Sequence, residues 1–373
     1  MTTTSVTKKT FFAVLAFYLL IAFEMLYMAG PFAMYFYGVY SPVLNFFNQN
    51  AALSALNSFF MPHIARETSS VIINLHEYVG GTLAIFGFVA FLWGACQIYY
   101  SKFARKGAVT GGIYNYIRHP QYSSFAICGL GMLIVWPRVI NLLMFVSMLF
   151  VYYILAKAEE RECEAKFGES YLSYKAQTRM FIPFNLPFRL PELPKARGKR
   201  ALDLLIMYIC AIAAAFALSY GVTMHSINSL YAVYTEDSAT MSLAEIETSK
   251  LEQIMAIANA EFDQSVAHRL NAGGVKMLNY VLPAEWYAAE VAMNDGAVEG
   301  GHVQPADYDH SKYKVIFTAV DCWNDASGKD ILLSVKLRQP LAELWVDLDK
   351  QAVTKVLDIP EGYMYQGIPV AVY

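Results

Sequence analysis

Residues 111–125 read GGIYNYIRHPQYSSF and residues 158–183 read AEERECEAKFGESYLSYKAQTRMFIP, and the run between them is almost wholly apolar. Pro137 and Arg138 interrupt that run, so it reads as two helices joined by a tight hairpin. A hairpin returns the chain to the side that it left. Arg118 and His119 ahead of it, and Glu159 and Glu160 behind it, are therefore expected to meet at one membrane face. A lone Arg snorkels and a Glu beside a Lys forms a helix pair, but four ionisable groups brought to one place exceed what anchoring needs.

Working outward, a spanning helix needs about 20 apolar residues. Stretches beginning at Phe11, from Tyr78 to Tyr100, from Val139 to Leu155 and from Leu202 to Tyr220 approach this, and Ser123 to Pro137 is a shorter fifth. The first follows Lys8 and Lys9, but Glu24 interrupts it and no small-residue cleavage site follows, so it reads as a retained anchor. Lys102, Arg105, Lys106 and Arg118 share one loop, and ten more Lys and Arg run from Lys157 to Arg200. The bias of basic residues to the cytosolic side puts both regions in the cytosol and the tail after Tyr220 on the opposite side. The expected fold is an α-helical multi-pass membrane protein of about five transmembrane helices with a C-terminal soluble α+β domain.

Charge divides the chain at the same point. Residues 1–224 hold 18 Lys and Arg against 10 Asp and Glu, and the remainder holds 10 against 21, so a net charge of -3 conceals a basic half and an acidic one. A basic membrane half suits anionic lipid headgroups or an anionic cofactor, and an acidic soluble part excludes nucleic acid as a partner. The expected domains are 1–225, a membrane domain with its core motifs at 82–184, and 226–373, an acidic α+β domain. In the tail, Ser242 to Ala260 has helical spacing, whereas Lys314 to Ala319 and Ile331 to Leu337 read as strands. The prolines of IPFNLPFRLPELP, Ile182 to Pro194, impose an extended connector. Cys96, Cys128, Cys163, Cys210 and Cys322 form no CxxC pair, and most of them read as small apolar residues packed among helices. His76-Glu77 is no HExxH zinc helix, because Gly80 stands where the second His would be. With Asn74 these two residues read as a helix start at the far end of the second span.

At Gly112 and Tyr114, at Arg118, His119, Pro120 and Tyr122, at Glu159 and Glu160, and at Phe167, Gly168, Tyr171 and Tyr174, the chain resembles the isoprenylcysteine carboxyl methyltransferase and phospholipid methyltransferase superfamily of membrane enzymes. The resemblance covers roughly Thr82 to Phe184. It implies a methyltransferase that uses S-adenosylmethionine. Membrane sterol reductases share a similar scaffold, but typically carry Arg and Asp before a Lys-Tyr-Gly where this chain has paired glutamates and Phe167-Gly168.

Residue chemistry agrees with that implication. A forked Arg118 suits the cofactor's carboxylate, and Glu159 and Glu160 suit its ammonium and ribose hydroxyls. Tyr114, Tyr122 and Tyr171, beside Pro120, offer faces for adenine or the sulfonium, although the same rings suit an interfacial belt. His119 or Glu160 is placed to take a proton from an amine or thiol acceptor, and His119 suits a structural bond to backbone equally. Arg118, His119 and Glu160 are the expected catalytic set, and no metal is expected. The expected acceptor is lipophilic and reached from membrane lipid. The alternatives are a small thiol or amine acceptor, or a non-catalytic receptor or assembly protein. The acidic tail is a candidate for self-association.

Overall fold

A computed structural model describes residues 37–62, 68–104, 109–184, 197–267, 275–288, 291–294, 299–300 and 307–361, with a few single positions besides. Among the described residues, eight α-helices come first: α1 (Tyr37–Phe47), α2 (Ala51–Asn57), α3 (Val71–Asn74), α4 (His76–Phe103), α5 (Pro120–Val135), α6 (Val139–Phe167), α7 (Glu169–Gln177) and α8 (Arg197–Ser229). Among the described residues, α4, α6 and α8 are long and apolar enough to cross a membrane, and α5 is a shorter apolar helix. The expected anchor beginning at Phe11 lies outside the described residues up to Tyr37, as does the proline-rich connector after Phe184.

The described residues pack as two compact units, one of residues 76–217 and one of residues 37–75 with those from Leu218 onward. In the first unit, α4 and α5 approach closely because glycine faces backbone. A Cβ on Gly80 would lie 2.7 Å from the Gly131 carbonyl oxygen, and one on Gly87 would lie 2.7 Å from that of Ser124. Gly80, Gly87 and Gly94 recur every seven residues, so they share one face of α4. Small residues of this kind are what lets apolar helices associate in lipid, where the hydrophobic effect supplies no drive. The α5/α6 hairpin forms as expected around Pro137, with Asn141 Nδ2 donating to the Trp136 carbonyl at 3.0 Å. Ser147 Oγ meets Tyr208 Oη at 2.8 Å and ties α6 to α8.

α6 does not end near Leu155 but continues to Phe167, so Glu159 and Glu160 ride on the long apolar helix itself. Gly168, at φ +56°, then ends it and turns the chain into α7. A residue with a side chain would be strained there.

The second unit is built on a six-stranded sheet. Its strands are β1 (Ala232–Tyr234), β2 (Ser238–Ser242), β3 (Lys276–Pro283), β6 (Lys312–Cys322), β7 (Val335–Asp347) and β8 (Ala352–Asp358), neighbours in that order. A separate short pair joins β4 (Trp286–Tyr287) to β5 (Glu299–Gly300). β2 and β3 pair in parallel, which requires a crossover, and α9 (Thr248–Ser265) supplies it. Leu251, Ile254, Met255, Ala258 and Phe262 fall on one stripe of α9 and pack on Val281, Val315, Phe317 and Leu344. Burying each Leu, Ile or Phe fully contributes about 1.5–3 kcal/mol. Phe262 stacks on Phe317 with centroids 4.1 Å apart.

The tail is thus a sheet with a helix on it, and two boundaries differ from expectation. Ser242 closes β2 and the helix begins at Thr248. Residues 331–334 form a helical turn, α10 (Ile331–Ser334), and the strand begins only at Val335. Ile331 and Leu332 are adjacent and both buried, which a strand with alternating faces does not allow against one core.

The segment before α4 belongs to this unit. Ser69 donates from both its N–H and Oγ to the Ser229 carbonyl, at 2.8 and 3.0 Å. Asn48 Nδ2 donates to the Lys336 carbonyl at 2.8 Å. Asn74 accepts from the N–H and hydroxyl of Thr68, at 2.9 and 2.8 Å, a local helix-start role as expected.

Candidate functional site

The end of the α5/α6 hairpin that carries the quoted motifs is assembled by backbone first. Residues 179–181, which follow α7, lie alongside residues 116–119: Arg118 N–H donates to the Arg179 carbonyl at 2.7 Å, and His119 N–H donates to that of Met180 at 3.1 Å. Ser123 Oγ adds a bond to the Phe181 carbonyl at 2.7 Å. Pro120 opens α5 at its first helical position, where a missing N–H costs nothing and a fixed φ suits the helix. His119 is therefore held at the threshold of α5, one residue after Arg118.

Arg118 and Glu160 meet. Arg118 Nε lies 2.7 Å from Glu160 Oε1, with the two side chains 9% and 2% exposed. The same guanidinium donates to the carbonyls of Lys175, at 3.0 Å, and Thr178, and so caps the C-terminus of α7. Lys175 Nζ reaches the second Glu160 oxygen at 2.9 Å and Glu164 at 2.6 Å. The Arg and the Glu that the sequence assigned to different parts of a cofactor here hold each other, and both Glu160 oxygens carry a cation.

Its neighbour is placed otherwise. Glu159 is 54% exposed; its Oε1 accepts from Tyr122 Oη at 2.6 Å and its Oε2 lies 3.3 Å from His119 Nδ1. Two consecutive residues on a helix point about 100° apart, and this alone separates a buried anchor from an accessible carboxylate. Aromatic rings continue from there: His119 stacks on Tyr122 at 5.7 Å, and Tyr122 on Tyr152 at 4.7 Å. Phe181 packs against the other side of this group, 5.9 Å from His119.

His119 is 7% exposed, and its Nε2 stands 3.7 Å from Glu160 Oε1, too far for a hydrogen bond. Burial disfavours the charged imidazolium, but the bond to Glu159 and the charges of Glu159 and Glu160 outweigh it and raise the pKa above the ordinary histidine value. Lys175 likewise titrates above the usual lysine range, since Glu164 and Glu160 outweigh its partial burial.

Tyr114 and Tyr171 are both buried, at 5% and 6% exposure, and burial pushes both phenols well above the ordinary tyrosine value. The Tyr114 carbonyl accepts from Tyr174 Oη at 2.7 Å, so these rings fasten the loop before α5 to α7. Of the three expected aromatic faces, Tyr122 is the one at the accessible carboxylate. Lys175, Glu164 and the docking of residues 179–181 were not foreseen, because nothing in their spacing marks them. No cluster of His, Cys, Asp and Glu able to hold a metal occurs among the described residues.

Residues 75–170 match the model of the phospholipid methyltransferase family. A protein-S-isoprenylcysteine O-methyltransferase of Schizosaccharomyces pombe (strain 972 / ATCC 24843) is 34% identical over 76 residues, which are 20% of this chain and 32% of that protein. This segment is thus similar both to the phospholipid methyltransferase family and to an isoprenylcysteine O-methyltransferase. The chain spans about a third of the length of the curated relative it matches. No solved structure matches.

Proposed function

We propose that this chain is an integral membrane methyltransferase that draws its methyl group from S-adenosylmethionine and delivers it to a lipophilic acceptor. The observation that carries the reading is the convergence of Arg118, His119, Glu159 and Glu160 at one end of an apolar hairpin, with one carboxylate accessible and the other locked. The cofactor's chemistry is an electrophilic methyl on a sulfonium. Around it, Glu159 accepts from an ammonium or ribose hydroxyl, and Tyr122 presents a ring face that a cation favours. Arg118 and Glu160 serve chiefly by holding α6, α7 and the loop before α5 in register. Tyr114, Pro120 and Tyr171 shape the wall behind them.

Because Glu160 already holds Arg118 and Lys175, a proton from an amine or thiol acceptor goes to His119. A carboxylate acceptor needs no base at all. The remaining acceleration comes from alignment and exclusion of water, which the apolar walls of α5 and α6 provide. The placement of basic residues supports five spans, a cytosolic site and a C-terminal domain on the opposite side. The test is calorimetry of S-adenosylmethionine on purified protein, followed by mass identification of a methylated product from membranes that contain it. Absence of cofactor binding by the wild-type protein would overturn the reading.

A further inference from the structure

His119 lies between two carboxylates of unlike standing. Its Nδ1 is 3.3 Å from Glu159 Oε2 and its Nε2 is 3.7 Å from Glu160 Oε1. Glu160 is already engaged, with Arg118, Lys175 and, at 3.5 Å, Lys157 at its oxygens. Glu159 is 54% exposed, and no Lys or Arg among the described residues stands within ion-pair distance of it. The imidazole is thus the cation that its outward carboxylate meets, with the Tyr122 hydroxyl on the other oxygen.

The other ionisable groups around the ring are Tyr122 on α5, Arg118 in the loop before it and Lys175 on α7, and both cations are turned to Glu160. Phe181, packed on the ring from the segment after α7, carries no charge. His119 therefore holds its proton on account of the two glutamates, and of these only Glu159 is open to a newcomer. Two groups coupled this closely titrate as a pair, so whatever occupies Glu159 resets the charge that His119 can keep.

Resting on the cofactor reading above, we infer that His119 and Glu159 form a proton-operated switch: an ammonium group that takes Glu159 displaces the charge of the imidazolium, and His119 gives up one proton as the cofactor binds. An imidazolium N–H bond breaks, its electron pair stays on nitrogen, and the proton goes to solvent. Two cations sharing one carboxylate repel, and the imidazolium is the one that becomes neutral near pH 7. The neutral ring is also the form that accepts a proton from an amine or thiol acceptor, so the base is armed only once the cofactor is in place. By linkage, cofactor affinity rises with pH through the titration of His119, by up to about tenfold per pH unit, and levels off above it.

The experiment has a ligand-free arm and a binding arm, both on the full chain in detergent. In the first, the His119 ring is titrated by NMR, its signal identified by its loss in His119→Asn, and its pKa is expected to fall by about one unit or more in Glu159→Gln. In the second, calorimetry of S-adenosylmethionine near pH 7 in two buffers of different ionisation enthalpy counts the protons released. Wild type is expected to release a large part of one proton more than His119→Asn, which keeps a donor for Glu159 and a favoured N-cap for α5 but cannot titrate; the difference removes protons exchanged by the ligand's own amine. His119→Gln replaces the asparagine variant if that one does not fold. An unchanged pKa in Glu159→Gln, or equal proton counts in wild type and the His119 variant, overturns the inference and leaves the cofactor reading standing. Failure of wild type to bind S-adenosylmethionine overturns both.

Discussion

The two adjacent glutamates illustrate how much a single residue's placement decides. Glu160 is buried between Arg118 and Lys175, so Glu160→Ala leaves two cations without their carboxylate and is expected to lower stability by about 3 kcal/mol. Glu159 is half exposed, so Glu159→Gln, measured at a pH where His119 is neutral, should leave the melting temperature nearly unchanged and weaken S-adenosylmethionine binding about tenfold or more. Thermal unfolding and calorimetry on both variants separate the roles; the reverse pattern would exchange them. His119 adds a pH dependence. Its pKa is raised in the folded protein, so the protonated form is the stabilising one. That contribution is complete below the unfolded value of about 6.5 and is lost as pH rises through the higher folded value. Melting temperature measured against pH should therefore fall more steeply across this window in wild type than in His119→Gln. Parallel profiles would show that the imidazole contributes nothing.

At the level of elements, the α4/α5 contact rests on glycines and not on interlocking large side chains. Gly87→Ala would place a methyl group against the Ser124 carbonyl, and the two helices must separate to admit it. The expected cost is about 1–3 kcal/mol, read as a lowered melting temperature, whereas Gly81→Ala, whose Cβ meets nothing within 4 Å, should be nearly silent. Equal effects at the two positions would contradict the packing described. α7 depends on a different device, since its last carbonyls are capped by Arg118 and its Lys175 is paired to α6. A nine-residue helix is too short to persist in water by propensity, so these ties are what keep it formed.

For the molecule as a whole, the polar site at one end of an apolar hairpin makes acceptor length the informative variable. A long acceptor gains about 0.8 kcal/mol for each methylene it buries, so kcat/KM over acceptors with one reactive head and increasing chain length should rise by orders of magnitude. A flat series, or strong activity with a free small thiol, would replace the lipophilic acceptor by a small soluble one. Cofactor binding would be untouched by that outcome.

Hydropathy, proline placement and charge are local quantities, and from them came the three long apolar helices, the tight hairpin, the meeting of Arg118 and His119 with Glu159 and Glu160, and the mixed α and β character of the tail. Burial and pairing between residues far apart in the chain are not local, and they decided the rest. Which of two neighbouring glutamates is desolvated depends on the turn of α6 that faces α7, and Lys175 reaches Glu160 only because Gly168 reverses the chain. The parallel pairing of β2 with β3, the docking of residues 179–181 on residues 116–119, and the packing of residues 37–75 with the C-terminal sheet likewise join segments that no periodicity connects.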